Sequence, residues 1–486
     1  RGAAAGDMDR CGGRAGVREV GRVTERGVWR GRGLVWRAGV VLVVVAVLVA
    51  GLVAAALVTD VDQRGGLIGD TSSDAAYDVN PGLLPADGSA PMPDPAALKR
   101  ILTPLAQDPA VGDLTASVVD DATGQVLWEV RPREAKVPAS TTKLLTAVAA
   151  MLQLPPDARV DTTLARGAEP DTLVVVPGGD PTMSGGAKPG PLFPGAATVV
   201  QAADVVRAAG MTPARIVVAP GPYTGPRMGP NWVPAEIAAG NVAPVDAWML
   251  DAGRLDPADE YSPRSTEPAL AAGRALAREL GVDPERVKVS ETAVETGGEL
   301  GRVSSAPLTE RVRSMLVYSD NVLAETICRE VALERDPDRP AGFAQGTAAV
   351  VDTLAEHGLD MTGVRLDDCS GMSSGNRLSA AALTDVLRTA AAPDATREMR
   401  DLLDTLPVAA GSGTLADRFT GPAEAGAGWV RAKTGTLSGT SALAGTVTSA
   451  DGRSMSFALL SSGTDPSVAR PVLDRIAAEL RTCGCR

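Results

Sequence analysis

The chain carries one histidine in 486 residues, and that scarcity removes a branch of chemistry. A Ser–His–Asp site would have to use His357, and a histidine-rich metal centre is excluded by count. His357 lies in Ala355-Glu356-His357-Gly358-Leu359, which reads as a helix end with Gly358 as the C′ residue, so it is assigned to the surface. Lysine is scarce too, six against forty-one arginines, so each lysine in a motif is more informative than usual. Five cysteines (Cys11, Cys328, Cys369, Cys483, Cys485) lack the regular spacing of a disulfide-stapled domain, and their pairing stays open. The formal charge of −12 is uneven: residues 1–37 hold nine arginines against four acidic residues, which leaves −17 for everything after. A body that acidic offers no electrostatic footprint for nucleic acid.

One long apolar run stands out. Residues 38–58 are uninterrupted by charge, and as a helix they would span about 31 Å, enough for a bilayer core. The arginines before it place 1–37 in the cytoplasm and the body outside it, tethered to the cytoplasmic membrane through 38–58. Ala54-Ala55-Ala56 is a weak cleavage site, so a membrane anchor is the expectation and secretion after cleavage the alternative. Residues 59–95, rich in Asp, Gly, Pro and Ser, read as a flexible linker.

The body divides by texture. A helix is expected over 95–105, then strands over 115–119 and 125–130 joined as a hairpin. A helix then starts at Ser140. Residues 161–289 differ: short buried strands with Pro/Gly turns alternate with helices near 198–209 and 268–280. From residue 308 the pattern is helical, with further helices over 346–356 and 379–389. The chain closes with strands over 429–433, 442–447 and 454–461 and a helix over 468–480. This points to one domain (96–160 and 290–486) interrupted by an insertion (161–289). Gly178 to Lys188 resembles a phosphate loop only superficially, because Pro189 follows the lysine.

Ser140 and Lys143 stand three apart, on one face of the expected helix. A serine needs a base, and a lysine can be one when burial or a second cation keeps it neutral. Taken alone, Ser-x-x-Lys is common by chance, and its bland reading is a helix-start serine beside a solvated lysine. Ser319-Asp320-Asn321 and Lys433-Thr434-Gly435 change that balance, since all three motifs in this order are not expected by coincidence. Ser140 would attack an acyl carbon while Lys143 takes its proton, and Ser319 would relay a proton to the leaving nitrogen. Asn321 would hold Lys143 and a substrate carbonyl together. Lys433 and Thr434 would bind a terminal carboxylate, with Lys433 also opposing a charged Lys143. Gly435 would let substrate backbone lie against a strand edge, and the N–H groups of Ser140 and Thr436 would face the oxyanion.

With these motifs the chain resembles the penicillin-recognising serine acyl-transferases, and within them the D-alanyl-D-alanine carboxypeptidases of the S13 peptidase family. The resemblance spans roughly residues 96–486. It includes Pro138-Ala139-Ser140, Gly178-Gly179-Asp180-Pro181-Thr182, Ser370-Gly371-Met372-Ser373, Asn376-Arg377-Leu378-Ser379 and Arg431-Ala432-Lys433-Thr434-Gly435-Thr436-Leu437. It implies an α+β fold: a transpeptidase/β-lactamase-like domain with an antiparallel sheet flanked by helices and a helical lobe, and an inserted strand-rich domain. The N-terminal transmembrane helix expected from residues 38–58 is a departure from members exported with a cleaved signal. It implies Ser140, Lys143, Ser319 and Asn321 as catalytic residues and Lys433, Thr434, Gly435 and Thr436 as the substrate-binding strand. No metal or cofactor is called for. The expected substrate is a peptidoglycan stem peptide ending in D-Ala-D-Ala, and β-lactam antibiotics should acylate Ser140. D,D-endopeptidase or β-lactamase activity uses the same scheme, and a non-catalytic wall-binding protein is the reading from another class. One departure is Cys369, where the family usually has Gly; it would bring bulk and a thiol near the site.

Overall fold

The computed structural model describes residues 88–482. The basic segment 1–37, the apolar run 38–58, most of the linker and Cys11, Cys483 and Cys485 lie outside the described residues. Among those described, no helix is long and apolar enough to cross a membrane.

The described residues open with helix Pro95–Ala106, started by the Asp94 side chain accepting from the Ala96 N–H. The hairpin β1 (Asp113–Asp120) and β2 (Val126–Val130) follows, then the helix Thr142–Gln153. A second group comprises β3 (Asp161–Gly167), β4 (Thr172–Pro177), β5 (Asp180–Met183), β6 (Arg215–Val218), β7 (Trp248–Leu250), β8 (Val287–Val289) and β9 (Thr296–Ser304). Helices Val199–Ala208 and Pro268–Leu280 are interleaved with these strands. Five helices come next, Leu308–Val317, Asn321–Arg335, Phe343–Glu356, Ala380–Ala391 and Arg397–Asp404. The strands β10 (Val430–Leu437), β11 (Thr440–Thr448) and β12 (Ser454–Ser462) and the helix Pro466–Thr482 close the chain.

The main sheet joins both ends of the body in the order β10-β11-β12-β1-β2, antiparallel throughout. Its period of two sends Leu443, Phe457 and Leu459 to one face, against Leu98 and Leu102 of the first helix and Leu473 and Ile476 of the last. Ala442, Ala444, Ala458 and Leu460 point the other way, onto Leu144, Val148 and Leu383 of the helical lobe. Small alanines on that face let the lobe sit close, and each leucine so buried contributes about 1.5–3 kcal/mol.

The second sheet has the order β8-β6-β4-β3-β9. Strands β4, β6 and β8 run parallel because a helix connects each to the next, and Leu173, Val175, Ile216 and Val218 pack on Ala202, Val206 and Leu276 of those helices. The expected boundary at residue 289 falls inside this sheet, since β9 pairs antiparallel with β3 from Asp161↔Ser304 to Gly167↔Thr296. β9 has three glycines and little buried surface, which hid it as a strand.

Candidate active site

Three segments of the helical lobe and one strand of the main sheet converge on a cleft of about 670 Å³, lined by Ser140, Ser319, Asn321, Thr434 and Thr436 among others. The expected helix does not begin at Ser140. Ala139–Thr141 forms a 3-10 turn and the α-helix starts at Thr142. Thr141 Oγ1 donates to the Pro138 carbonyl at 2.7 Å and Thr142 Oγ1 to the Ala139 carbonyl at 2.9 Å, so local hydroxyls shape this turn. Ala139 has φ 47°, a left-handed conformation disfavoured for an alanine, directly before the serine.

The turn places Ser140 Oγ 3.0 Å from Lys143 Nζ. Lys143 has no solvent exposure, and its nitrogen also meets Asn321 Oδ1 at 2.5 Å and the Ser370 carbonyl at 2.6 Å. A neutral amine has two N–H donors and one lone pair. The two carbonyl oxygens take both donors, and the lone pair is left for the Ser140 hydroxyl. Burial pulls Lys143 down to about 8, while the charges of Asp368, Asp320 and Glu325 pull the other way. The expectation of a lowered Lys143 thus holds for its first cause, but three carboxylates surround it that the sequence reading did not weigh.

Ser319 and Asn321 flank the start of helix Asn321–Arg335. Asp320 is its N-cap, accepting from the Leu323 N–H at 2.8 Å. Two arginines of the inserted segment reach the same carboxylate: Arg254 at 2.8 Å and Arg264 at 3.2 Å, all three side chains buried. Burial opposes ionisation, yet Arg254 and Arg264 hold the Asp320 carboxyl well below the usual range. Ser319 sits at φ 55°, a second left-handed residue in the site, and its hydroxyl accepts from Lys433 Nζ at 2.8 Å. Asn321 turns its Nδ2 to the Asn241 carbonyl at 2.9 Å, which fixes Oδ1 toward Lys143.

Lys433, Thr434, Gly435 and Thr436 were expected at a strand end and lie inside β10, which runs on to Leu437. β10 is the edge of the main sheet. Its first half is covered on the outer side, where the Ala432 N–H donates to the Pro407 carbonyl. Alternation then directs the N–H groups of Thr434 and Thr436 off the same edge, over the cleft. Gly435 serves a different end from the one expected. A Cβ there would stand 2.7 Å from the Pro138 carbonyl, so the missing side chain makes room for the serine's own turn. Lys433 is fully buried; burial and then the Lys143 charge lower it well below its usual value, Glu260 pulls it up and Arg418 pulls it down.

All eight expected site residues thus come together. Ser370-Gly371-Met372-Ser373 stands out in the sequence only as part of a resemblance, and in the structure it supplies the Ser370 carbonyl. Cys369 is not a thiol: it is joined to Cys328 in a disulfide. Arg254, Arg264, Asp368 and Glu325 carried no sequence signal beyond their charge.

The model of the D-Ala-D-Ala carboxypeptidase 3 (S13) family matches residues 98–260 and 257–482. Carboxypeptidase DacB of Mycolicibacterium smegmatis is 43% identical over 448 residues, covering 90% of this chain and 96% of its own length. A carboxypeptidase of Mycobacterium tuberculosis is 42% identical over 413 residues, covering 84% and 88%. The crystal structure of penicillin binding protein 4 from Haemophilus influenzae aligns with a TM-score of 0.64 at 21% identity, over 80% of this chain and 98% of that one. That similarity bears on the fold.

Proposed function

The chain belongs to the D-Ala-D-Ala carboxypeptidase 3 (S13) family, and from that premise we infer how its residues carry out serine D,D-carboxypeptidase chemistry. The substrate is a peptidoglycan stem peptide. Ser140 Oγ attacks the carbonyl between the two terminal D-alanines and Lys143 accepts its proton. The oxyanion is stabilised by the N–H groups of Ser140 and Thr436. As the C–N bond breaks, Ser319 gives its proton to the leaving nitrogen and takes in its place the one Lys143 accepted, while Lys433, Thr434 and Thr436 hold the terminal carboxylate until D-Ala departs. Water then cleaves the acyl-enzyme. A β-lactam enters the same cleft and acylates the same oxygen; the Haemophilus influenzae protein has been solved with one bound. No cofactor or metal takes part in this scheme.

One observation carries the assignment: Lys143 Nζ lies 3.0 Å from Ser140 Oγ with two carbonyl oxygens occupying its remaining donors. Fluorescent-penicillin labelling, with product analysis on a pentapeptide and a cross-linked dimer, tests it. Wild type should be labelled and release D-Ala from the pentapeptide, whereas Ser140→Ala should do neither. Covalent labelling of the Ala variant would identify a different nucleophile, and preference for the dimer would make the enzyme an endopeptidase.

We propose that the body lies outside the cytoplasmic membrane, anchored by 38–58. The run's length and the arginines before it support this, as does a disulfide among the described residues, since disulfides persist in oxidising compartments. Protease added to intact spheroplasts should release a large soluble fragment; a protected body would invert the topology.

A further inference from the structure

We propose that Glu325 is a positioning residue for acylation, holding the backbone around Ser370 so that the Ser370 carbonyl keeps Lys143 aimed at Ser140. The proposal rests on the reading of Lys143 as the base.

Glu325 lies one turn beyond Asn321 on helix Asn321–Arg335, on the same face, and is fully buried. Its Oε1 accepts from the Cys369 N–H at 2.9 Å and from the Ser370 N–H at 2.8 Å. A bland reading makes it half of a helical ion pair with Arg329. That guanidinium comes only to 3.6 Å of Oε2, and its charge also lies over the ring of Phe343 at 4.3 Å. The short bonds go to backbone.

The two peptide units flanking Ser370 are fully assigned. The Cys369 carbonyl accepts from Thr146 Oγ1 at 2.8 Å, and the Gly371 N–H donates to Asp368 Oδ1 at 2.8 Å. With the two N–H groups on Glu325, that leaves the Ser370 carbonyl for Lys143. Two more restraints act on the same segment. The disulfide ties Cys369 to Cys328, three residues beyond Glu325 on its helix. Gly371, at φ 87°, packs so tightly on the serine's turn that a Cβ would stand 1.9 Å from the Ala139 carbonyl. Helix, segment and nucleophile turn therefore share one set of contacts, in which Glu325 holds the Cys369 and Ser370 N–H groups.

Its charge also reaches Lys143. The charged groups bearing on Lys143 are Asp368, Asp320 and Glu325, which favour the protonated amine, and the Lys143 charge in turn lowers Lys433. Glu325 is itself pushed up to about 7 by burial and then by Asp368, against Arg329. Removing its charge should lower Lys143 further, so the base stays neutral to lower pH.

The test is the rate constant for acylation by a small β-lactam at saturation, followed against pH in the full chain for wild type, Glu325→Gln, Glu325→Ala and Lys143→Ala. Glu325→Gln keeps an oxygen for both N–H groups: its plateau should stay within about threefold of wild type while the acidic limb moves to lower pH. Glu325→Ala leaves both N–H groups unpaired, and its plateau should fall at least about tenfold, the scale of a sub-ångström misplacement of a reacting group. A folded Glu325→Ala enzyme with a wild-type plateau would overturn the proposal, and so would a Gln enzyme as slow as the Ala one. If the Ala variant does not fold, the Gln variant decides: a lowered limb supports the proposal and an unmoved limb overturns it. Lys143→Ala separates the premise, because acylation surviving there would remove Lys143 as the base whatever Glu325 does.

Discussion

Two lysines stand behind the serines of the cleft, Lys143 on Ser140 and Lys433 on Ser319, both without solvent exposure, and their surroundings make them different tools. Lys143 stands on a helix inside the lobe, among three carboxylates, with its donors placed on Asn321 and Ser370. Lys433 stands on an edge strand, near Glu260, Arg418 and Lys143, with its donors on Ser319 and the Thr434 carbonyl. The first is satisfied on every side except toward the serine. The second is a buried amine short of counter-charge beside an open strand edge, so an incoming carboxylate would favour its protonated form. Desolvation alone therefore does not make a catalytic base; the arrangement of acceptors around the amine does.

The largest separation between the two should appear on deletion. Lys143→Ala removes the base, and acylation should fall by about three orders of magnitude or more, with noncovalent binding nearly unchanged. Lys433→Met keeps the volume and loses the charge. Peptide affinity should then weaken by roughly thirtyfold or more, the lower end of the scale for losing a buried charge partner. Stopped-flow acylation resolves the rate constant from the binding constant for each. A Lys143 variant impaired mainly in binding would collapse the distinction.

A smaller effect concerns how rigidly the Lys143 side is built. The Cys328–Cys369 disulfide spans 41 residues and should stabilise the fold by about 3–4 kcal/mol. Replacing both cysteines with serine should lower the melting temperature by several degrees and slow acylation, while Lys433-side binding changes little. Differential scanning calorimetry alongside acylation kinetics checks both halves. An unchanged melting temperature would mean that the Glu325 and Thr146 bonds suffice.

Much of this was legible in residues. The three motifs need only their identities and order, and the strands of the main sheet show their period of two in segments such as Ser-Met-Ser-Phe-Ala-Leu-Leu. What escaped depends on long-range meetings. Arg254 and Arg264 look like two of forty-one arginines until Asp320, 66 and 56 residues away, is seen between them. Glu325 reads as an ordinary helix residue because its partners are backbone N–H groups 44 and 45 positions on. Gly435 was assigned to the substrate by motif logic, whereas the contact that requires it comes from Pro138. Strand β9 hid because Gly297, Gly298 and Gly301 weaken any strand pattern.

The smallest expected effect is the most discriminating. Lys143 must be neutral to act, and with a value of about 8 its protonation makes acylation fall as pH drops below that point. The Lys143 charge lowers Lys433, so the two amines repel when both are protonated, and Lys433→Met removes that repulsion from Lys143. The protonated form of Lys143 is then less opposed, its value rises, and the acidic limb moves to higher pH. Burial is the leading cause for both amines, so this shift should be a fraction of a pH unit. Lys433→Arg keeps the charge without the compact geometry, and should weaken binding while leaving the limb in place. The direction is opposite to that expected for Glu325→Gln, which removes an anion. Profiles of acylation by one small β-lactam in wild type and the three variants therefore form an internal control. Limbs that all move the same way would mean that repacking, not charge, governs the base, whereas opposed movements would show Lys143 responding to its neighbours on both sides of the cleft.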